Sequence, residues 1–112
     1  MILAKGEKIH VIHRRNLEHE PHRHFIGEVE DYQSGVARVA GNLYTVDRDV
    51  GGFVRKPERR IRLISIVAGD TFVNVIPESV NLENISYQQE RKAIRVTDGA
   101  GWYLDLSEVA WL

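Results

Sequence analysis

Residues 25–47 read FIGEVEDYQSGVARVAGNLYTVD, and the fold is decided there. Phe25, Gly27, Val29 and Asp31 fall on one face of an extended chain, with Ile26, Glu28, Glu30 and Tyr32 on the other. The first set is mainly apolar and the second carries two carboxylates, the signature of a half-buried strand. Gln33-Ser34-Gly35 interrupts the run. Glycine tolerates positive φ and serine supplies local hydrogen bonds, so a hairpin turn is expected. Val36 to Ala40 resume the strand. Gly41-Asn42 is a second punctuation, read as a turn or a bulge that bends it. Leu43 to Val46 continue with strong β formers. The small residues Gly35, Ala37, Ala40 and Gly41 suit the tight curvature of a small barrel.

Working outward, EKIHVIHR (Glu7–Arg14) alternates as a first strand, and the polar, Pro21-broken RNLEHEPHRH reads as a loop or an irregular edge. DRDVGGFVRKPERR (Asp47–Arg60) is the longest polar connection. IRLISIV (Ile61–Val67) reads as a buried strand and TFVNVI (Thr71–Ile76) as the next, joined as a hairpin at Ala68-Gly69-Asp70. Val80, Leu82 and Ile85 predict a single helical turn over a barrel end. Asn84 to Tyr87 start a short strand, followed by a charged connection over Gln88–Lys92. Asp98-Gly99-Ala100 joins Ala93–Thr97 to Gly101–Leu106 as a final hairpin, and Ser107 with Glu108 caps a last helical turn. Seven or eight short strands predict an all-β fold: a single small, strongly bent β-barrel spanning residues 1–112, with an appended C-terminal hairpin and at most one or two helical turns.

Two segments resemble the Sm-like and Src-homology-3-like small barrels. Gly27-x-Val29-x-x-Tyr32, a turn and Val36-x-x-Val39 are similar to the first Sm motif. Gly69-x-x-Phe72-x-x-Val75, a one-turn helix and Ile85 are similar to the second. The resemblance covers roughly Arg23 to Tyr87 and implies the barrel fold. It does not carry over the family's RNA-binding residues. Where the family places Asp, Asn and Arg, this chain has Gln33, Gly35-Val36 and Ala68.

The net charge of −1 gives no global attraction to nucleic acid or anionic lipid. The absence of cysteine excludes disulfides, thiol catalysis and cysteine zinc sites. It is compatible with a reducing compartment. With no long apolar run, a soluble cytoplasmic protein is expected, with no membrane partner. There is no catalytic or cofactor signature, so the expectation is a non-catalytic protein without a cofactor.

Four groups are candidates for function. Arg55, Lys56, Arg59, Arg60 and Arg62 place five cations in eight residues, a stripe for an RNA or DNA backbone with Phe53 stacking on a base. The other reading is a solvated loop offset by Glu58, Asp47 and Asp49. His19, His22 and His24, with Glu18 and Glu20, have ligand chemistry for zinc, nickel or copper, against a polar loop that happens to be histidine-rich. Glu28, Glu30 and Asp31 offer carboxylates without an identifiable catalytic partner. Trp102, Tyr103, Trp111 and Leu112 are an interface or a core plug. Exposed strand edges need protection, and a second subunit provides it. The leading expectation is therefore an interaction or assembly module that forms a homo-oligomer, with nucleic-acid binding through Arg55–Arg62 as the alternative.

Overall fold

The computed structural model describes residues 2–13, 23–90 and 93–106. Over these residues the fold is all-β and antiparallel, with one 3-10 turn. Strands β1 (Lys8–His13), β2 (Arg23–Gln33) and β3 (Val36–Asp47) form the centre of a six-stranded sheet. β4 (Gly52–Arg55) and β5 (Arg60–Ser65) share the outer edge of β3, while β6 (Thr71–Ile76) pairs with β1. After the 3-10 turn at Leu82–Asn84, β7 (Ser86–Glu90), β8 (Ala93–Thr97) and β9 (Tyr103–Asp105) form a second sheet.

The hairpin between β2 and β3 turns within Gln33-Ser34-Gly35 as expected, and the turn has two central residues. Gln33 pairs with Val36, leaving Ser34 at φ 51° and Gly35 at φ 82°. Two successive positive φ values match the right-handed twist of the flanking strands. β3 then runs unbroken through Gly41-Asn42, contrary to the expected turn or bulge. What changes there is the neighbour on its outer edge: Val36–Gly41 pair with β5, and Tyr44–Asp47 pair with β4. The bulge lies instead in β2. Val29 faces Val39 and Asp31 faces Arg38, so Glu30 is the extra residue. An inserted residue inverts the alternation beyond it. Tyr32 consequently packs on the Phe25 and Val29 side of the sheet, not on the Ile26 side that alternation alone assigns.

Both faces of the central strands are buried. One carries Ile9, Val11, Phe25, Val29, Val39 and Leu43; the other carries Ile12, Ile26 and Tyr44. The second sheet covers the latter face with Ile94, Val96 and Leu106, all buried. Each such side chain contributes about 1.5–3 kcal/mol on burial. The C-terminal hairpin is therefore half of a core layer rather than an appendage.

Four further expectations are corrected. The Asp47–Arg60 connection contains strand β4. Gln88 and Gln89 belong to β7, which pairs with β8. β5 and β6 do not form a hairpin: each pairs with a different central strand. β5 is also an edge strand with alternating exposure, not a buried one, and Leu63 is 69% exposed. The helical turn is as expected, capped by Asn81, whose side chain accepts from the Glu83 amide. The proposed cap at Ser107 and Glu108 lies outside the described residues.

Candidate functional site

The first-sheet face built on Phe25 curls around a cavity of about 330 Å³. Residues from β1, β2, β3, β5 and β6 all line it, so the two edge strands converge on one space with the centre of the sheet. Val11, Phe25, Leu43 and Ile64 form apolar walls, and Arg23, Arg62, His13 and Asp70 supply charge. Ile66 N–H donates to Gly35 O at 2.9 Å, tying the β5–β6 link to the β2–β3 turn. The Arg62 guanidinium lies over the Phe25 ring, 5.6 Å from its centroid. Desolvation lowers the Arg62 pKa, with Arg60 and Arg23 adding repulsion. His13 Nε2 stands 4.0 Å from Asp70 Oδ2. Among the described residues neither Arg23 nor Arg62 forms an ion pair with a carboxylate.

A second polar group is sealed between the sheets. His10 and His24 are buried, from β1 and β2, and Tyr87 reaches them from β7. Asn74 Nδ2 donates to His10 Nδ1 at 3.2 Å, which leaves the proton of a neutral imidazole on Nε2. That atom lies 3.2 Å from Tyr87 Oη and 3.1 Å from His24 Nδ1. Tyr87 Oη is 2.6 Å from the same His24 nitrogen and donates to it. Burial lowers the His10 pKa to about 4, and burial, with Tyr44 adding to it, raises that of Tyr87 well above the usual phenol value. Both groups are thus neutral near pH 7. A one-way chain runs from Asn74 through His10 and Tyr87 to His24, and it pins the two sheets together.

The basic segment is not one stripe. Arg55 pairs with Glu83 at 2.9 Å and Arg60 with Glu58 at 3.6 Å. Lys56 and Arg59 are exposed, and Arg62 faces the cavity. Phe53, expected to stack on a base, instead stacks on Tyr87 with centroids 4.6 Å apart and lies 4.4 Å from His24. β4 brings it there by pairing Phe53 with Val46.

Only one of the three histidine metal candidates falls among the described residues. His24 points into the inter-sheet layer, and His19 and His22 lie outside the described residues. Among the described residues no three His, Asp or Glu side chains converge on a metal position. Glu30 pairs with Arg38 at 3.2 Å, and Glu28, Glu30 and Asp31 are exposed. Trp102 packs against the core, while Tyr103 is exposed beneath Arg95, whose guanidinium sits 4.7 Å from the ring centroid. Trp111 and Leu112 lie outside the described residues. No helix among the described residues is long and apolar enough to cross a membrane.

The free strand edges are the remaining feature. Nine large apolar residues are exposed among the described ones, and Ile61, Leu63, Val67, Phe72 and Val75 are five of them. They cluster on β5, β6 and the link between them. β6, TFVNVI, contains no charge and no proline, so nothing on it guards the edge. The cavity and the inter-sheet chain were missed in sequence. The only sequence signal for the chain was that Ile12 and His24, and His10 and Ile26, would be cross-strand neighbours if Glu7–Arg14 paired with β2. No family model, curated protein or solved structure matches the chain.

Proposed function

We propose that the chain is a small bent barrel of the Sm-like or Src-homology-3-like kind that works as a non-catalytic assembly module. In this reading β5 of one copy pairs with β6 of the next. The observation that carries it is the strand order: among the described residues β5 and β6 are edges of the sheet on either side of its centre, each bonded on one side only. Both carry exposed apolar side chains, Leu63 on one and Phe72 on the other. An unpaired edge is a template for another strand, and pairing would satisfy its backbone groups while covering those side chains. Joining two different edges is a head-to-tail contact, which closes into a ring if the rotation permits.

The test is solution mass by size exclusion with light scattering at low and moderate salt, on the wild type and on Leu63→Lys and Phe72→Lys. A defined oligomer that each substitution dissociates, with the β circular dichroism unchanged, is the expected result. A wild-type monomer at both salts would reject the proposal.

A further inference from the structure

Among the described residues the two arginines of the cavity have no acid paired with them, and their surroundings point to a ligand. The Arg62 guanidinium lies over the ring of Phe25, 5.6 Å from its centroid, and Phe25 is itself buried. A guanidinium held over an aromatic ring by cation–π attraction still has N–H donors with which to fork an oxyanion. Arg23 lines the same space and is close enough to Arg62 to depress its pKa. Two like charges are brought together there with no carboxylate between them among the described residues. The one acid that lines the cavity, Asp70, sits against His13. Beneath the cations the walls are apolar: Val11, Phe25, Leu43 and Ile64. A volume of about 330 Å³ is at the small end of ligand pockets.

We propose that this cavity binds a small amphipathic anion, with its carboxylate or phosphate head on Arg62 and Arg23 and its flat apolar body against Phe25, Val11 and Leu43. Charge without apolar walls would suit a bare inorganic ion. Apolar walls without charge would suit a neutral hydrophobe. The combination selects a ligand with both parts. The inference does not depend on assembly, because the site is built within one chain.

The experiment is a titration followed by amide ¹H–¹⁵N spectra, using 1-naphthoate, 1-naphthyl phosphate and the neutral 1-naphthalenemethanol, with inorganic phosphate as a fourth probe. Expected are saturable shifts at Phe25, Ile64 and Thr71 with at least one naphthyl anion. The stronger of the two anions identifies the head group. Binding should fall about tenfold for the neutral compound and for Arg62→Gln, the loss of one charge-assisted hydrogen bond. Arg62→Lys, which keeps the charge but not the planar fork, should bind more weakly than wild type. Three results would each overturn the proposal: no saturable shift at millimolar probe, equal binding of the neutral compound, or unaltered binding by a folded Arg62→Gln. Inorganic phosphate binding as tightly as the naphthyl anions would refute the apolar half of the site. Tighter binding of a short oligothymidylate at the same residues would replace the small ligand with nucleic acid.

Discussion

Gly27 and Gly41 face each other across β2 and β3 with no space for a side chain on either. A Cβ on Gly27 would meet Ala40 O, and one on Gly41 would meet Ile26 O, each closer than 3.0 Å. The obstacles are backbone atoms, which cannot swing aside as a side-chain tip can. The close approach lies at the centre of the first sheet, where β3 changes partners from β5 to β4.

Gly27→Ala and Gly41→Ala should therefore each destabilise the fold by about 3 kcal/mol, the upper range for forcing a group into a packed site. Urea denaturation should show the midpoint falling with little change in slope. Gly69→Ala is the control. Its Cβ would have nothing within 4 Å, and its φ is not positive, so alanine should be neutral or slightly stabilising. A Gly41→Ala protein as stable as this control would show that the two strands separate easily.

Ser34 is the one described non-glycine residue with positive φ, at 51°. It occupies the first central position of a turn that favours asparagine before glycine. Ser34→Asn should raise stability by about 0.5 kcal/mol, in the usual range for an improved local conformation. Gly35→Ala should lower it, since φ there is 82° and a Cβ would press on Val67 Cγ1 at 3.2 Å. The two changes test the turn from opposite directions in one thermal-melting series.

The buried His10 sets a pH dependence. Its pKa is lowered from 6.5 to about 4 in the folded protein. Below pH 6.5 the unfolded chain binds this proton and the folded chain does not, so stability falls with acidification. The loss begins near pH 6.5 and continues down to about pH 4. It reaches about 3 kcal/mol, with a slope near 1.4 kcal/mol per pH unit between those limits. Asn74, which lies against His10 from β6, and Tyr87 from β7 carry no charge in this window. His10→Gln, which cannot titrate, should show a slope smaller by that amount in urea titrations at several pH values. An unchanged slope would place the linkage on another group.

These features divide by how local they are. The Ser34-Gly35 turn, the Asp98-Gly99 turn and the helical turn at Leu82–Asn84 depend on neighbouring residues, and each is legible in the sequence; the Asn81 cap on that turn is seen only in the fold. β4 was hidden because Gly51-Gly52 and the flanking charges read as loop, while its stability comes from Val46 and Tyr44 on β3. The β5 and β6 segments look like a hairpin because only Ala68-Gly69-Asp70 separates the apolar runs Ile61–Val67 and Thr71–Ile76, yet their partners are β3 and β1. Tyr32 was placed on the wrong face because one inserted residue, Glu30, inverts the alternation. His24 stands close to His19 and His22 in sequence, and those two lie outside the described residues. Its partners in the fold are His10 and Tyr87, fourteen and sixty-three residues away. Pairings at such separation depend on strand order, which composition and spacing do not encode. The cavity is a product of the same long-range order, since Arg62 reads as one member of a basic run until β5 turns it toward Phe25.

The inter-sheet chain makes a last prediction that differs from a simple count of hydrogen bonds. Removing the Tyr87 hydroxyl deletes two contacts, to His10 and to His24. The imidazoles nevertheless remain close, with His10 Nε2 3.1 Å from His24 Nδ1. The His10 proton can turn onto that nitrogen, so neither ring is left unsatisfied. Tyr87→Phe should therefore cost only about 1 kcal/mol, near the net worth of one hydrogen bond. His10→Leu has no such repair. It removes the donor to Tyr87 and the acceptor for the Asn74 amide together, stranding polar groups between the sheets at about 1–3 kcal/mol each. Equilibrium unfolding of both variants at pH 7.5 should rank His10→Leu well below Tyr87→Phe. The reverse order would mean that the two histidines do not pair directly and that the tyrosine hydroxyl is the indispensable link between the sheets.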